Sequence, residues 1–318
     1  VPLHIYPRSL QYLEAVARLG SVQAASRALG IAASAIDRQI IGLEEECETP
    51  LFERHPRGMR LTAAGEAAIL LARRWRADQD RLSDELRQMR GMEQGTVRLA
   101  AMDSLSNSVL PALVSVLRDR HPGINLSVDI MAPQDAARDL DQAMVDLAVV
   151  FNLSADKTRH VLWSTPLPFG CVVGQGHRLW GAPSVTLKDA AQNPIAAQSE
   201  ILPVREYLER RYGWLFNPVK PVLVTNSQQL LKQVLLEGKL MAITSQMDVA
   251  TELLAGDLSF VPIRDAGLKP QSLSLVVDAR RPLSHAARQV GNLQASLLED
   301  LMKRLNDMIA PAAPVSPG

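Results

Sequence analysis

Apolar side chains recur at helical spacing in three short runs between residues 10 and 44, with Gly20 and Gly30 between them, and this pattern constrains the start of the fold more than anything else in the chain. Leu10, Leu13, Val16 and Ala17 predict a first helix ending near Leu19–Gly20. Ser21 is placed to cap a second helix carrying Ala24, Ala25, Ala28 and Leu29, whose small side chains let a neighbouring helix approach closely. Gly30 supplies a tight turn, Ile31 fills the joint, and Ile36, Ile40 and Leu43 line one side of a third helix. In a helix-turn-helix this geometry projects Ala33, Ser34, Asp37, Arg38 and Ile41 outward, where a DNA major groove can receive them. The same periodicity also fits a three-helix unit used only for packing. The segment after the third helix favours the first reading: Pro50-Leu51-Phe52 returns the chain to the core, and Arg54, His55, Arg57, Gly58 and Arg60 form a basic excursion suited to phosphate or minor-groove contact.

Bulk electrostatics do not assist. Lys plus Arg and Asp plus Glu number 34 each in 318 residues, and the first 65 residues carry seven Arg against seven acidic residues. Binding to a polyanion therefore depends on placing the arginines on one face with Glu44, Glu45, Glu46 and Glu48 turned away. Cys47 and Cys171 are too few and too distant for a disulfide scaffold or a metal motif, and are expected as buried small hydrophobes. The amino-terminal residues do not form a charged segment followed by a long apolar stretch, and no 18-residue apolar window occurs, so a soluble cytoplasmic protein without a membrane partner is expected.

Taken in order, Leu10, Val16, Gly20-Ser21, Ala25, Leu29, Ile36, Arg38-Gln39-Ile40, Leu43-Glu44, Leu51-Phe52, Arg54, Arg57, Leu61-Thr62 and Ala64-Gly65 resemble the winged helix-turn-helix signature of LysR-type transcriptional regulators over about 55 residues. The resemblance implies DNA-contacting positions at Ser21, Ala33, Ser34, Asp37, Arg38, Arg54, Arg57 and Arg60. Four places depart from the family pattern. Ala25-Ser26 stands for two adjacent alanines, Ala32-Ala33-Ser34 for Ser-Gln-Pro, Asp37 for a common serine, and Cys47-Glu48 for Leu-Gly. Ala32 lacks the side-chain oxygen of a cap, which forgoes about 0.5–2 kcal/mol. Ala33 has no amide to pair with adenine, and Asp37 brings a negative charge toward the phosphates while remaining able to accept from cytosine N4. An unusual operator sequence is expected.

Thr62-Ala63-Ala64-Gly65-Glu66 predicts a capped helix start, and the proline-free run to about Met89 predicts a connecting helix. Along it Ala68, Ala72, Trp75, Gln79, Leu82, Leu86 and Met89 alternate steps of four and three, the pattern of a coiled-coil seam. A symmetric helix pair between subunits is expected, with intrachain packing as the alternative; pairing would duplicate the recognition helix to match a two-fold promoter site on double-stranded DNA. The resemblance implies the same homodimer, often within a tetramer built as a dimer of dimers.

From Thr96 the period changes. Val97–Leu99, Ile124–Ile130 and Leu147–Phe151 read as strands separated by helices, an α/β unit with a buried parallel sheet. A second unit starts at Phe169–Val173, with strands near Val222–Thr225, Met241–Thr244 and Leu258–Val261; Leu273–Val277 returns to the first, and a last helix spans about Ala286–Met308. Together with Pro111, Pro122, Asp146-Leu147-Ala148, His177, Pro194 and Gly238, this order is similar to the two-lobed, periplasmic-binding-protein-like effector domain of the same regulators. That implies a small polar effector between the lobes, no other cofactor, and no metal. Candidate contacts at strand ends are Ser104, Leu105, Ser106, Gln198, Ser199, Asn226, Ser227 and Thr244, each hydroxyl or amide having an alternative reading as an ordinary helix cap. Helix N-termini favour a carboxylate there, whereas Asp103 would repel an anion and welcome an amine.

The expected organisation is α/β overall: a winged helix-turn-helix at 1–62, a dimerisation helix at 63–90, a two-lobed domain at 91–310 (lobe I about 96–165 and 266–310, lobe II about 166–265), and a flexible tail at 311–318. An enzyme reading has little support: the six histidines are scattered, no G-x-S-x-G elbow occurs, and Gly174 and Gly176 do not continue into a nucleotide-binding fingerprint. Arg205, Arg210 and Arg211 read as a solvated helix face. The expected function is ligand-modulated, sequence-specific transcription control; the alternative is a small-molecule-binding protein or enzyme whose helical head oligomerises without binding DNA.

Overall fold

Three short helices open the chain, α1 (Arg8–Leu19), α2 (Val22–Leu29) and α3 (Ala33–Glu46), in a computed structural model that describes residues 5–56, 58–91, 94–153, 156–199, 203–216, 220–265 and 267–309. The Ser21 hydroxyl accepts from the Ala24 N–H at 3.1 Å, capping α2. Gly30 ends α2 with φ of 66°, a left-handed conformation that an L side chain rarely adopts. Ser26 has a local use of its own: its hydroxyl donates to the Ile31 carbonyl at 2.6 Å and ties the turn into α3. Ala32 makes no side-chain cap. Leu13, Val16, Ala25, Ile36, Ile40 and Leu51 are fully buried and form the core of this head.

The antiparallel strands β1 (Phe52–His55) and β2 (Gly58–Leu61) form the wing, which three backbone anchors fix. Glu44 Oε1 accepts from the N–H groups of Leu51 and Phe52 at 2.7 and 3.0 Å, so this member of the acidic run is a structural acceptor. The Met59 N–H donates to the Gly20 carbonyl at 2.7 Å, and the Thr62 N–H to the Leu51 carbonyl at 3.0 Å. Helix α4 (Ala63–Met89) then leaves the wing, with Thr62 Oγ1 accepting from the Gly65 N–H at 3.0 Å. A Cβ at Gly65 would lie 2.0 Å from the Leu51 carbonyl oxygen, so only glycine permits this approach.

The 27 residues of α4 span about 40 Å. Its amino-terminal half belongs to the head. Ala72, expected on an intersubunit seam, is fully buried in the head core, and Ala68 packs against that core. Gln79, also expected on the seam, accepts through Oε1 from the N–H groups of Ile5 and Tyr6 at 2.9 and 2.7 Å. The physical reason is length: a helix leaving a small head must cover that head's open side before it can meet anything else. Glu14 completes the attachment, accepting from the Tyr6 hydroxyl at 3.1 Å and from Arg76 at 3.0 Å. Cys47, expected buried, is exposed just beyond the last turn of α3, while Cys171 is buried and its thiol is pushed up to about 12 by desolvation.

Beyond α4 the chain alternates strand and helix: β3 (Gly95–Ala101), α5 (Val109–Arg120), β4 (Ile124–Ile130), α6 (Pro133–Asp141), β5 (Leu147–Phe151) and β6 (Arg159–Leu167). After Pro168 come β7 (Phe169–Gly174), α7 (Leu187–Ala190), β8 (Ala196–Gln198), α8 (Pro203–Tyr212), β9 (Leu223–Thr225), α9 (Gln228–Leu236), β10 (Met241–Ser245), α10 (Ala250–Ala255) and β11 (Leu258–Pro262). The chain returns through β12 (Gln271–Asp278) and closes on α11 (His285–Ile309). The first sheet has the order β4-β3-β5-β12-β6 and the second has β10-β7-β11, with the parallel pair β8-β9 joined to β10 by a bridge from Ile195 to Met241.

The parallel unit expected of β3, β4 and β5 is present, and antiparallel strands extend it. β3 pairs in parallel with β4 and β5, but β12 is antiparallel to both β5 and β6, and β7 is antiparallel to β10 and β11. The chain enters lobe II along β6 and β7 and comes back along β11 and β12, so the returning strand runs against those it joins. Apolar residues from both lobes share a core that includes Val149, Leu275 and Val290 on one side and Val172, Leu231 and Met247 on the other.

Candidate DNA interface and effector cleft

One face of the head gathers the amino-terminal ends of α2 and α3 and the wing around a concavity of about 460 Å³. Ser21, Ala33, Ser34, Asp37 and Arg54 line it together with His55 and Gly58. Two helix starts on one face present backbone N–H groups and positive dipole ends, the arrangement that receives phosphate oxygens. Arg38 and Arg60 are exposed, and Arg38 has no ion-pair partner among the described residues. Arg54 donates to Asp37 at 2.8 Å, an exposed pair that neutralises the carboxylate expected to oppose phosphate contact and aligns the guanidinium along the face. Arg57 lies outside the described residues.

Past the head, α4 carries Leu71, Trp75, Leu82, Leu86 and Met89 as exposed large apolar side chains. Ile5, Tyr6 and Pro7 extend that surface beside Trp75 and Leu82. α4 is also tied to lobe I at points along its length. Arg73 donates to Gln142, Gln88 is 3.0 Å from His285, and Asp84 lies against Gly95 while accepting from Arg87 at 3.1 Å. Burial raises the Asp84 carboxyl to about 6, with the Arg87 guanidinium opposing that shift.

The lobes meet where a single helical turn, residues 103–105 at the end of β3, faces α9 and the segment leading into α10. A cavity of about 250 Å³ lies there, bordered by Asp103, Ser104 and Ser106 from lobe I and by Gln228, Lys232 and Glu252 from lobe II. Thr251 donates across the junction to the Asn107 carbonyl at 2.9 Å. Lys232, almost wholly buried, pairs with Glu252 at 2.7 Å.

Not all of the expected effector contacts reach this cavity. Ser104 and Ser106 do. Leu105 is fully buried in the shared core and does not line the cavity. Thr244 is also fully buried; it accepts from Gln198 at 3.2 Å and donates to Asp248. Ser199 donates its N–H to the Thr225 carbonyl, Asn226 is exposed, and Ser227 caps α9 by accepting from Leu230 at 3.2 Å. Lys232 and Glu252 are not among the expected contacts, although a lysine inside the apolar run Leu230–Leu236 is a readable anomaly.

Residues 7–66 match the family model described as bacterial regulatory helix-turn-helix protein, lysR family, and residues 90–295 match the LysR substrate binding domain. The chain belongs to the LysR family. It is a DNA-binding transcriptional regulator with an effector-binding domain. It is 23% identical over 299 residues to a probable RuBisCO transcriptional regulator of Emiliania huxleyi, covering 92% of this chain and 94% of that one. The fold is shared with a variant of full-length OxyR from Pseudomonas aeruginosa, with a TM-score of 0.66, 15% identity, and coverage of 97% and 98% of the two chains. It is shared also with full-length CbnR complexed with its target DNA, with a TM-score of 0.55, 18% identity, and coverage of 95% and 99%. Among the described residues, no helix of this LysR-family chain is long and apolar enough to cross a membrane, and no cluster of His, Cys, Asp or Glu could hold a metal ion.

Proposed function

We propose that this regulator grips DNA by seating the amino-terminal half of α3 in a major groove, with Ser34 and Arg38 toward the bases and Arg54 and Arg60 on the phosphates. The observation that carries this reading is the convergence of two helix N-termini and the wing on one concave face. Arg38 supplies the donors for a guanine edge that Ala33 does not. Arg54, held by Asp37, loses little conformational freedom when it meets a phosphate. The CbnR–DNA complex, similar in fold over nearly the whole chain, supports a full-length regulator of this architecture on a duplex.

The exposed row Leu71, Trp75, Leu82, Leu86 and Met89, with residues 5–7 beside it, supports a homodimer through α4 whose two heads match the half-sites of a two-fold promoter. A small polar effector occupies the cavity between the lobes. Because α4 is fixed to lobe I through Gln142, His285 and the Asp84 site, a ligand that favours one lobe arrangement also favours one spacing of the heads. Exchanging Leu82 and Leu86 for Lys tests the dimer: sedimentation of the variant as a monomer with unchanged helical content is expected, and an intact dimer refutes the α4 interface.

A further inference from the structure

The cavity between the lobes is unusual in which of its polar groups are left over. Ser104 Oγ, Ser106 Oγ, Gln228 Oε1 and Glu252 Oε2 are all buried and have no hydrogen-bond partner. Each of them can accept a hydrogen bond, the two serine hydroxyls can also donate one, and a buried polar atom without a partner is destabilising. The one ammonium at the site, Lys232, is already engaged by the other oxygen of Glu252. Asp103 adds a second carboxylate at the rim and Asp248 a third behind it; Asp248 is occupied by Thr244 and Ser245, and burial holds its carboxyl above the usual range. Acidic side chains therefore outnumber cations around the cavity.

We infer that the effector of this chain carries a protonated nitrogen, an ammonium or a guanidinium, which donates to Glu252 Oε2 and the Ser104 hydroxyl while facing Asp103. This inference rests on the cleft being the effector site and goes beyond it by fixing the charge of the ligand. A carboxylate placed in the same volume would meet Asp103 and Glu252 with like charge and would leave Glu252 Oε2 unsatisfied. An uncharged apolar molecule would leave all four oxygens without donors. A protonated nitrogen brings several N–H groups to a place that has several lone pairs, and hydrogen bonds between ionised partners are the stronger kind. The cavity, about 250 Å³, falls just below the roughly 300–1,000 Å³ of drug-sized sites, which suits a short amine-bearing metabolite.

Calorimetric titration of the full chain at pH 7 with three probes of matched chain length, 1,5-diaminopentane, glutarate and 1,5-pentanediol, separates charge from size. Saturable binding of the diamine is expected, with glutarate and the diol each weaker by about tenfold or more. Asp103→Asn, an exposed position whose substitution does not disturb the core, is expected to weaken the diamine about tenfold, Glu252→Gln by at least as much, and Ser104→Trp to abolish it. Thermal unfolding of each variant identifies any loss that comes from misfolding, and Asp103→Asn keeps the test open if Glu252→Gln strands Lys232. Glutarate binding that Ser104→Trp removes would overturn the charge inference and leave the cleft as the effector site. Diamine binding that survives both Asp103→Asn and Ser104→Trp would place it elsewhere and overturn the charge inference along with the cleft reading it rests on. Absence of saturable diamine binding also overturns the inference.

Discussion

The head and the cleft handle their polar groups in opposite ways. In the head, the groups offered outward are exposed and held from behind: Arg54 by Asp37, the wing by Glu44 and the Gly20 carbonyl, the start of α2 by Ser21. In the cleft, four buried oxygens, Ser104 Oγ, Ser106 Oγ, Gln228 Oε1 and Glu252 Oε2, have no partner, while Gln198, Thr244 and Ser227 nearby are occupied with structural bonds. A duplex is large, rigid and uniformly charged, so a preorganised open face suffices. A small effector can only shift a conformational equilibrium by differential binding, and unsatisfied buried groups provide that difference.

Breaking the head from within should have the largest effect. Leu13→Ala leaves a cavity in a core with few members and is expected to destabilise by about 2–5 kcal/mol, seen as an earlier unfolding transition that removes DNA binding while lobe-directed ligand binding persists. Retention of full DNA affinity would show that the head is not the DNA-binding unit. Arg38→Ala acts on the face alone: about 1–3 kcal/mol of discrimination, roughly a five- to 150-fold loss on a selected site by fluorescence anisotropy, with the fold unchanged.

Smaller effects sharpen the contrast. Ala32→Ser supplies the missing cap of α3 and is expected to stabilise the head by about 0.5–2 kcal/mol in denaturant titration. No gain would mean that the α3 N–H groups are already satisfied. The smallest effect belongs to the joint between α4 and lobe I. Since burial raises Asp84 to about 6, the folded chain holds that proton more tightly than the unfolded chain does. Its contribution is full below the unfolded value, near 4, and is lost as pH rises through about 6. Asp84→Asn should flatten the fall in Tm across that window, and an unchanged profile would locate the pH dependence elsewhere.

The same contrast explains what can be read from the sequence. The head depends on local spacing: Leu13 to Val16, Gly30 at its turn, Ile36 to Ile40, Thr62 before α4. Most strands of the lobes are equally plain. β6 escapes a reading of the sequence because most of its residues are exposed and mix polar side chains and Pro166 with apolar ones, and β8 because it has three residues. The parallel order of β3, β4 and β5 is legible, whereas the antiparallel pairing of β12 follows from the path between lobes, which no local pattern encodes. The cleft is legible only in part, at Ser104 and Ser106, because the identity of its other wall depends on which side of α9 turns toward lobe I. Ala72 and Gln79 read as contacts to a partner helix because a stripe on one helix does not state which surface covers each half.

The most direct test of DNA recognition through α3 is a footprint of the purified full chain on duplex DNA selected from a random library, run in parallel with Arg38→Ala. Two protected half-sites are predicted, related by two-fold symmetry and separated by about one helical turn or a multiple of it, with protection lost in the variant at the same concentration. Failure to enrich any sequence, or a footprint that Arg38→Ala leaves intact, would contradict it.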